Sequence, residues 1–116
     1  QNESSSAVIE FEQFEAVTMR VGEILSVAKV PKADKLLVFK LDFGASGQRQ
    51  ILSGIAEYYP NFQQLVGQKV IAVTNLKPRK IRGLESQGML LSSENEAGQV
   101  RLALVDAQHE NGAQLG

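Results

Sequence analysis

Eight consecutive residues, Leu36-Leu37-Val38-Phe39-Lys40-Leu41-Asp42-Phe43, limit the possible folds most. Leu37, Phe39, Leu41 and Phe43 fall on one side of an extended chain, with Lys40 and Asp42 on the other. That period of two marks a strand with one face in a core. A strand of this kind needs partners, and the sequence on both sides supplies them. Before it, Met19 to Val30 is rich in β-formers, Val21, Ile24, Val27 and Val30 among them. Gly22 and an imperfect alternation predict a long first strand with a bend or bulge. Pro31-Lys32-Ala33-Asp34 turns the chain back. After it, Gly44-Ala45-Ser46-Gly47 reads as a hairpin loop, Arg49 to Ser53 as a third strand, and Gly54 as its end.

Between Ile55 and Gly67 the pattern changes. Pro60 and Asn61 suit the start of a helical turn, Phe62, Leu65 and Val66 give it an apolar side, and Gly67 stops it. Strands follow at Lys69 to Asn75, Gln87 to Ser92 and Val100 to Val105, the last with Leu102 and Leu104 on one face and a turn at Asn95 to Gly98 before it. At the front, Phe11, Phe14 and Val17 among acids predict a short helix that lays Phe11 and Phe14 on the body. Gln1 to Ala7, polar and Ser-rich, reads as a linker or disordered lead-in, with one domain over residues 8 to 116, and the segment after Val105 reads as a loose terminus. The expected fold is all-β: a five-stranded Greek-key barrel of the OB type, with a short helical insertion between strands 3 and 4 and a short N-terminal helix. Periodicity alone leaves an SH3-like barrel or an open sandwich standing.

Charge is distributed unevenly. The net charge of −1 joins an acidic start, with four acids and no base through residue 16, to an acidic end with a net of −3. Between them, residues 17 to 93 hold eleven bases against five acids. Four cations, Lys77, Arg79, Lys80 and Arg82, fall within six positions of the stretch that joins the fourth strand to the fifth. A cationic loop held by strands suits phosphate, because displaced counterions convert its charge into affinity. A solvated turn kept soluble by lysines has the same composition. With no Cys and a single His, His109, thiolate metal sites and thiol nucleophiles are excluded. Ser53-Gly54 lacks the flanks of a nucleophile elbow and no Gly-rich loop has a phosphate-binding pattern, so no catalytic residue, metal site or cofactor is expected. No apolar run approaches the roughly 20 residues of a membrane span, and nothing at the N-terminus resembles a signal peptide. A cytoplasmic location is expected.

Five segments in order carry a resemblance: Met19-Arg20-Val21-Gly22-Glu23-Ile24, Ala33-Asp34-Lys35-Leu36, Ser53-Gly54-Ile55, Asn75 through Gly83, and Ser86-Gln87-Gly88-Met89-Leu90-Leu91. Together they closely resemble the tRNA-binding domain family, the OB-fold module found as a C-terminal appendix of many methionyl-tRNA synthetases. The family also includes free-standing tRNA-binding proteins, and CsaA-like chaperones share its fold but usually lack the Ala-Asp-Lys-Leu motif. The missing initial Met and the Ser-rich lead-in favour an excised synthetase appendix over a free-standing protein.

The resemblance implies shape-dependent binding to the outer corner of tRNA by a non-catalytic domain, a homodimer, and no small-molecule substrate. Carried over residue by residue, it places Lys35, Asn75, Lys77, Arg79, Lys80, Arg82, Ser86 and Met89 on the nucleic-acid face. The chemistry agrees. The cations neutralise phosphate, Asn75 and Ser86 offer donors and acceptors to a ribose 2′-OH or a base edge, and the Met89 thioether suits a base or ribose. Phe39 and Phe43 read as core, so few aromatics remain for stacking, which favours recognition through the RNA backbone. Val30 departs from the family pattern, since relatives often carry His before Pro31. From pattern alone Met89 equally suits the core, and Asn75 a turn cap.

Overall fold

The computed structural model describes residues 7–116. All of the expected lead-in except Ala7 lies outside the described residues. Helix α1 (Phe11–Glu15) is a turn and a half long, with Gln13 Oε1 accepting from the Glu10 backbone N–H at 2.8 Å. Its rings stack on each other at 6.3 Å between centroids. Phe11 is 65% exposed and Phe14 38%. The rings therefore stay largely exposed and do not bury on the body as the sequence pattern predicts.

Strands β1 (Met19–Val30), β2 (Ala33–Asp42), β3 (Gln48–Ser53) and β4 (Lys69–Val73) make the sheet, in the order β4-β1-β2-β3, all antiparallel. The first half of β1 pairs with β4 and the second half with β2. One strand therefore curls through both halves of the barrel. Its register shifts fall between Ile24 and Ser26 and between Lys29 and Val30, after Gly22 and not at it. Gly22 has a different duty: a Cβ there would lie 2.6 Å from the Phe43 ring. Leu37, Phe39, Leu41 and Phe43 are all fully buried, together with Ile24, Ile51, Val70 and Ala72. The alternation that predicts β2 thus fills the barrel.

The insertion after β3 is two 3₁₀ turns, Ala56–Tyr58 and Phe62–Leu65; Leu65 is buried, and Val66, which follows the second turn, is exposed. The Tyr59 hydroxyl accepts from the Leu102 backbone N–H at 2.8 Å, and the Arg101 guanidinium lies 5.5 Å from the Tyr59 ring centre, so the insertion is braced across the chain. Past β4 the expected single connection contains its own hairpin, β5 (Arg79–Ile81) and β6 (Leu84–Ser86). The fifth barrel strand is divided into β7 (Met89–Leu90), which pairs with β4, and β8 (Ser92–Glu94), which pairs with β9 (Val100–Leu102). The chain breaks again before β10 (Leu104–Val105), leaving Leu102 buried but Leu104 56% exposed, where the sequence predicts both on one face.

The C-terminal segment is tied down, contrary to expectation. Strand β11 (Gln114–Leu115) pairs with Met19 and Arg20 of β1. Gly112 N–H donates to Val21 O at 2.7 Å, and the Asn111 amide donates to Glu23 and Asp42 at 2.9 and 3.3 Å. These anchors are single polar groups with no periodicity, which is why alternation missed them.

Candidate nucleic-acid interface

The barrel closes between β3 and the segment from β6 to β7, and closure uses side chains more than a ladder. Gln87 N–H donates to Gln50 O at 2.7 Å, and Gln87 Oε1 accepts from Gln50 N–H at 3.0 Å. Ser86 Oγ accepts from Leu52 N–H at 3.0 Å and donates to Gly88 O at 3.3 Å. Arg49 crosses the same seam, donating to Thr74 O at 2.6 Å and Gln87 O at 3.2 Å. Its charge therefore serves the fold. Ser86 is 5% exposed, so the expected RNA donor is a buried strut whose loss would leave the Leu52 N–H unpaired.

Above this seam stands the β5–β6 hairpin. Its register pairs Arg79 with Ser86, Lys80 with Glu85 and Ile81 with Leu84. Strand alternation sends Ile81 and Leu84 inward, onto a small core of Val30, Ala33 and Leu52. Val30, where relatives often carry His, is thus part of the footing of the hairpin. The same alternation separates the cations. Arg79 shares the inward side and lines a cleft with Ile81, whereas Lys80 faces out beside Glu85.

The hairpin turn is Arg82-Gly83, with φ of 53° and 82°. Positive φ at both central residues is the requirement of a type I′ turn, which Asn or Gly satisfies with little strain and Arg does not. The β1–β2 turn repeats the choice. Val30 pairs with Ala33, leaving Pro31-Lys32 between them, and Lys32 has φ 62°. Pro followed by positive φ is the type II arrangement, in which Gly or Asn is favoured at the second place. Both turns thus hold a cation where the backbone would prefer another residue, and Lys32, Lys35 and Arg82 line one groove of about 350 Å³. Lys32 was missed from sequence because its neighbours read only as turn chemistry.

On the other side of the hairpin, Lys77 and Arg79 stand at a cleft of about 470 Å³ whose walls include Leu76, Pro78, Ile81 and Met89. Met89 is 49% exposed, which settles the ambiguity of its pattern against the core. Asn75 lies at the base of this region with its side chain engaged elsewhere. Its Oδ1 accepts from Thr18 N–H at 2.8 Å and its Nδ2 donates to Ala16 O at 2.7 Å. It fastens the end of β4 to the chain entering β1. Of the eight residues expected on the face, the structure brings Lys35 and Arg82 to one groove and Lys77, Arg79 and Met89 to the adjoining cleft. It sets Lys80 outward, and gives Asn75 and Ser86 structural work.

Comparison with known proteins bears on the family and the fold. The family model described as "Putative tRNA binding domain" matches residues 19–114. The methionine–tRNA ligase of Enterococcus faecalis is 49% identical over 105 residues, covering 90% of this chain and 16% of the ligase. The chain spans 15 to 16% of the length of three such ligases that it matches. Among solved structures, a methionyl-tRNA-synthetase-related protein from Pyrococcus horikoshii superposes with a TM-score of 0.89 at 37% identity, covering 96% of this chain and all of that one. The chaperone CsaA of Bacillus anthracis superposes with a TM-score of 0.84 at 29% identity, covering 95% of this chain and all of that one.

Proposed function

This chain belongs to the tRNA-binding domain family and is homologous to the C-terminal region of bacterial methionine–tRNA ligases, and from that premise we propose that its β5–β6 hairpin and the β1–β2 turn grip the backbone of a folded tRNA at its outer corner. The contacts are Lys32, Lys35, Lys77, Arg79, Lys80, Arg82 and Met89, with Asn75 and Ser86 holding that surface in place. The observation that carries this reading is the convergence of cations from two separate hairpins on one groove. Counterion release then supplies affinity without reading sequence. The reaction itself belongs to the rest of a ligase, and this domain contributes tRNA retention in the cytoplasm. No helix among the described residues is long and apolar enough to cross a membrane.

A second part of the proposal concerns assembly. Phe11, Phe14 and Val17 border a shallow groove with Gln114 and Leu115. Exposed aromatics in a patch of this kind mark an association surface, and a twin across a two-fold axis would cover it.

Filter binding with unfractionated tRNA across a salt series tests the main reading. The expected result is a steep fall of log K with log salt, similar affinities for different tRNAs, and weak competition by duplex DNA, which lacks the 2′-OH and the folded corner. Equal binding of duplex DNA, or no binding of tRNA, would overturn it.

A further inference from the structure

We propose that the cleft beside the hairpin takes the face of one unstacked nucleobase, whose flanking phosphates sit on Lys77 and Arg79. The proposal rests on the tRNA reading above and adds the chemical class of the group recognised. Leu76 and Met89 are each about half exposed, at 47% and 49%, and Pro78, Ile81 and Leu52 complete the apolar walls. Apolar surface beside two cations calls for a ligand that is flat and uncharged at its centre and anionic at its edge. A nucleotide has that form, and at about 470 Å³ the cleft lies within the roughly 300 to 1,000 Å³ of small-ligand sites. No aromatic lines it, so the grip is aliphatic, with the polarisable Met89 sulfur against the ring.

The walls also determine what the cleft cannot read. The Ser86 hydroxyl, the side-chain polar group nearest its floor, is engaged by Leu52 N–H and Gly88 O. One lone pair of that hydroxyl and the Lys77 and Arg79 head groups are the side-chain polar groups left to meet a base edge. Most of the lining is apolar, so the cleft discriminates weakly between protruding bases.

The test compares a ten-residue oligouridylate with an abasic ribose-phosphate chain of the same length and charge, both against the full chain. The parent is expected to bind the base-bearing strand about tenfold more tightly, the scale set by covering the half-exposed Leu76 and Met89 side chains with a base. The double variant Leu76→Ser, Met89→Ser should lose that preference and bind tRNA about tenfold more weakly with the salt slope unchanged, since no charge is removed. Because the abasic comparison needs no variant, misfolding of the double variant would not remove the test. Equal binding of the two strands by the parent overturns the nucleobase proposal, while tRNA binding by the parent leaves the wider reading intact. Loss of affinity for a leucine-rich peptide, with tRNA binding kept, would assign the cleft to protein and overturn it as well. Failure of the parent to bind tRNA at all would remove the reading on which it rests.

Discussion

Two surfaces of the molecule each hold apolar side chains in solvent, and they differ in the charge around them. At the hairpin end, Leu76 and Met89 stand beside Lys77 and Arg79. At the helix end, Phe11, Phe14 and Val17 stand among Glu10, Glu12 and Glu15. Exposed apolar area alone says only that something covers it. The rim decides what: cations admit a polyanion, and an acidic rim repels one. Asn75 links the two ends, rooted where β4 gives way to the basic segment and bonded to Ala16 and Thr18 behind the helix. The comparison therefore predicts two surfaces with separate partners and a shared anchor.

The largest expected effect is at the acidic end. Replacing Phe11 and Phe14 together by Ala should weaken self-association by roughly 2 kcal/mol or more, the scale of buried aromatic anchors. Sedimentation at micromolar concentration reads this, and tRNA affinity per subunit should stay within twofold. A parent that sediments as a monomer defeats the assembly proposal. A variant that loses tRNA affinity in step with association would show that the two ends do not act separately.

Next come the two polar residues expected to touch RNA. Ser86→Ala leaves the Leu52 N–H buried without a partner, costing about 1 to 3 kcal/mol of stability. Asn75→Ala removes two backbone contacts at an exposed site and should cost about 1 kcal/mol, with weaker association because the helix end is released. Urea denaturation measures both. If either variant kept the parent's stability while tRNA binding fell at an unchanged salt slope, that side chain would be an RNA contact after all.

These two residues also mark what was legible in the sequence. Leu37 through Phe43 announced β2 because alternation is local, and the cation cluster was visible because charge can be counted. Ser86 and Asn75 each accept from a backbone N–H, at Leu52 and Thr18, 34 and 57 residues away, and no local pattern encodes those bonds. The β5–β6 hairpin was hidden for another reason. Its strands are three residues long, and Arg82-Gly83 lacks the Asn or Asp that usually signals a type I′ turn. One signal was available: Ile81 and Leu84 flank the turn as an apolar pair in a charged segment. Arg49 was countable as a cation but not separable from the others, since only the folded seam shows that Thr74 and Gln87 carbonyls hold it.

Within the cationic end the four charges should not count equally. Arg79 lines the cleft, whereas Lys80 lies opposite Glu85 on the outer side of the hairpin. If Arg79 meets a phosphate, Arg79→Ala should reduce the magnitude of the log K against log salt slope by roughly 0.7 to 0.9. Lys80→Ala should change it by less than about half as much, because its cross-strand partner Glu85 is opposite in sign. Equal changes would mean that the loop acts as diffuse charge and that the alternation of β5 has no bearing on binding.

The smallest effect is the most diagnostic, because stability and binding should move in opposite directions. Lys32 has φ 62° in a turn that favours Gly. A left-handed non-glycine residue costs about 1 to 2 kcal/mol, and glycine returns about 0.5 to 1 kcal/mol of that through its greater freedom in the unfolded chain. Lys32→Gly should therefore stabilise the fold by about 0.5 kcal/mol, read as a higher urea midpoint with the same m-value. The same change removes a cation from the groove shared with Lys35 and Arg82, so tRNA binding should weaken and the salt slope should fall by roughly 0.7 to 0.9. A turn kept basic only for solubility would gain the stability and keep the slope. A turn whose strain serves RNA binding would gain stability and lose affinity together.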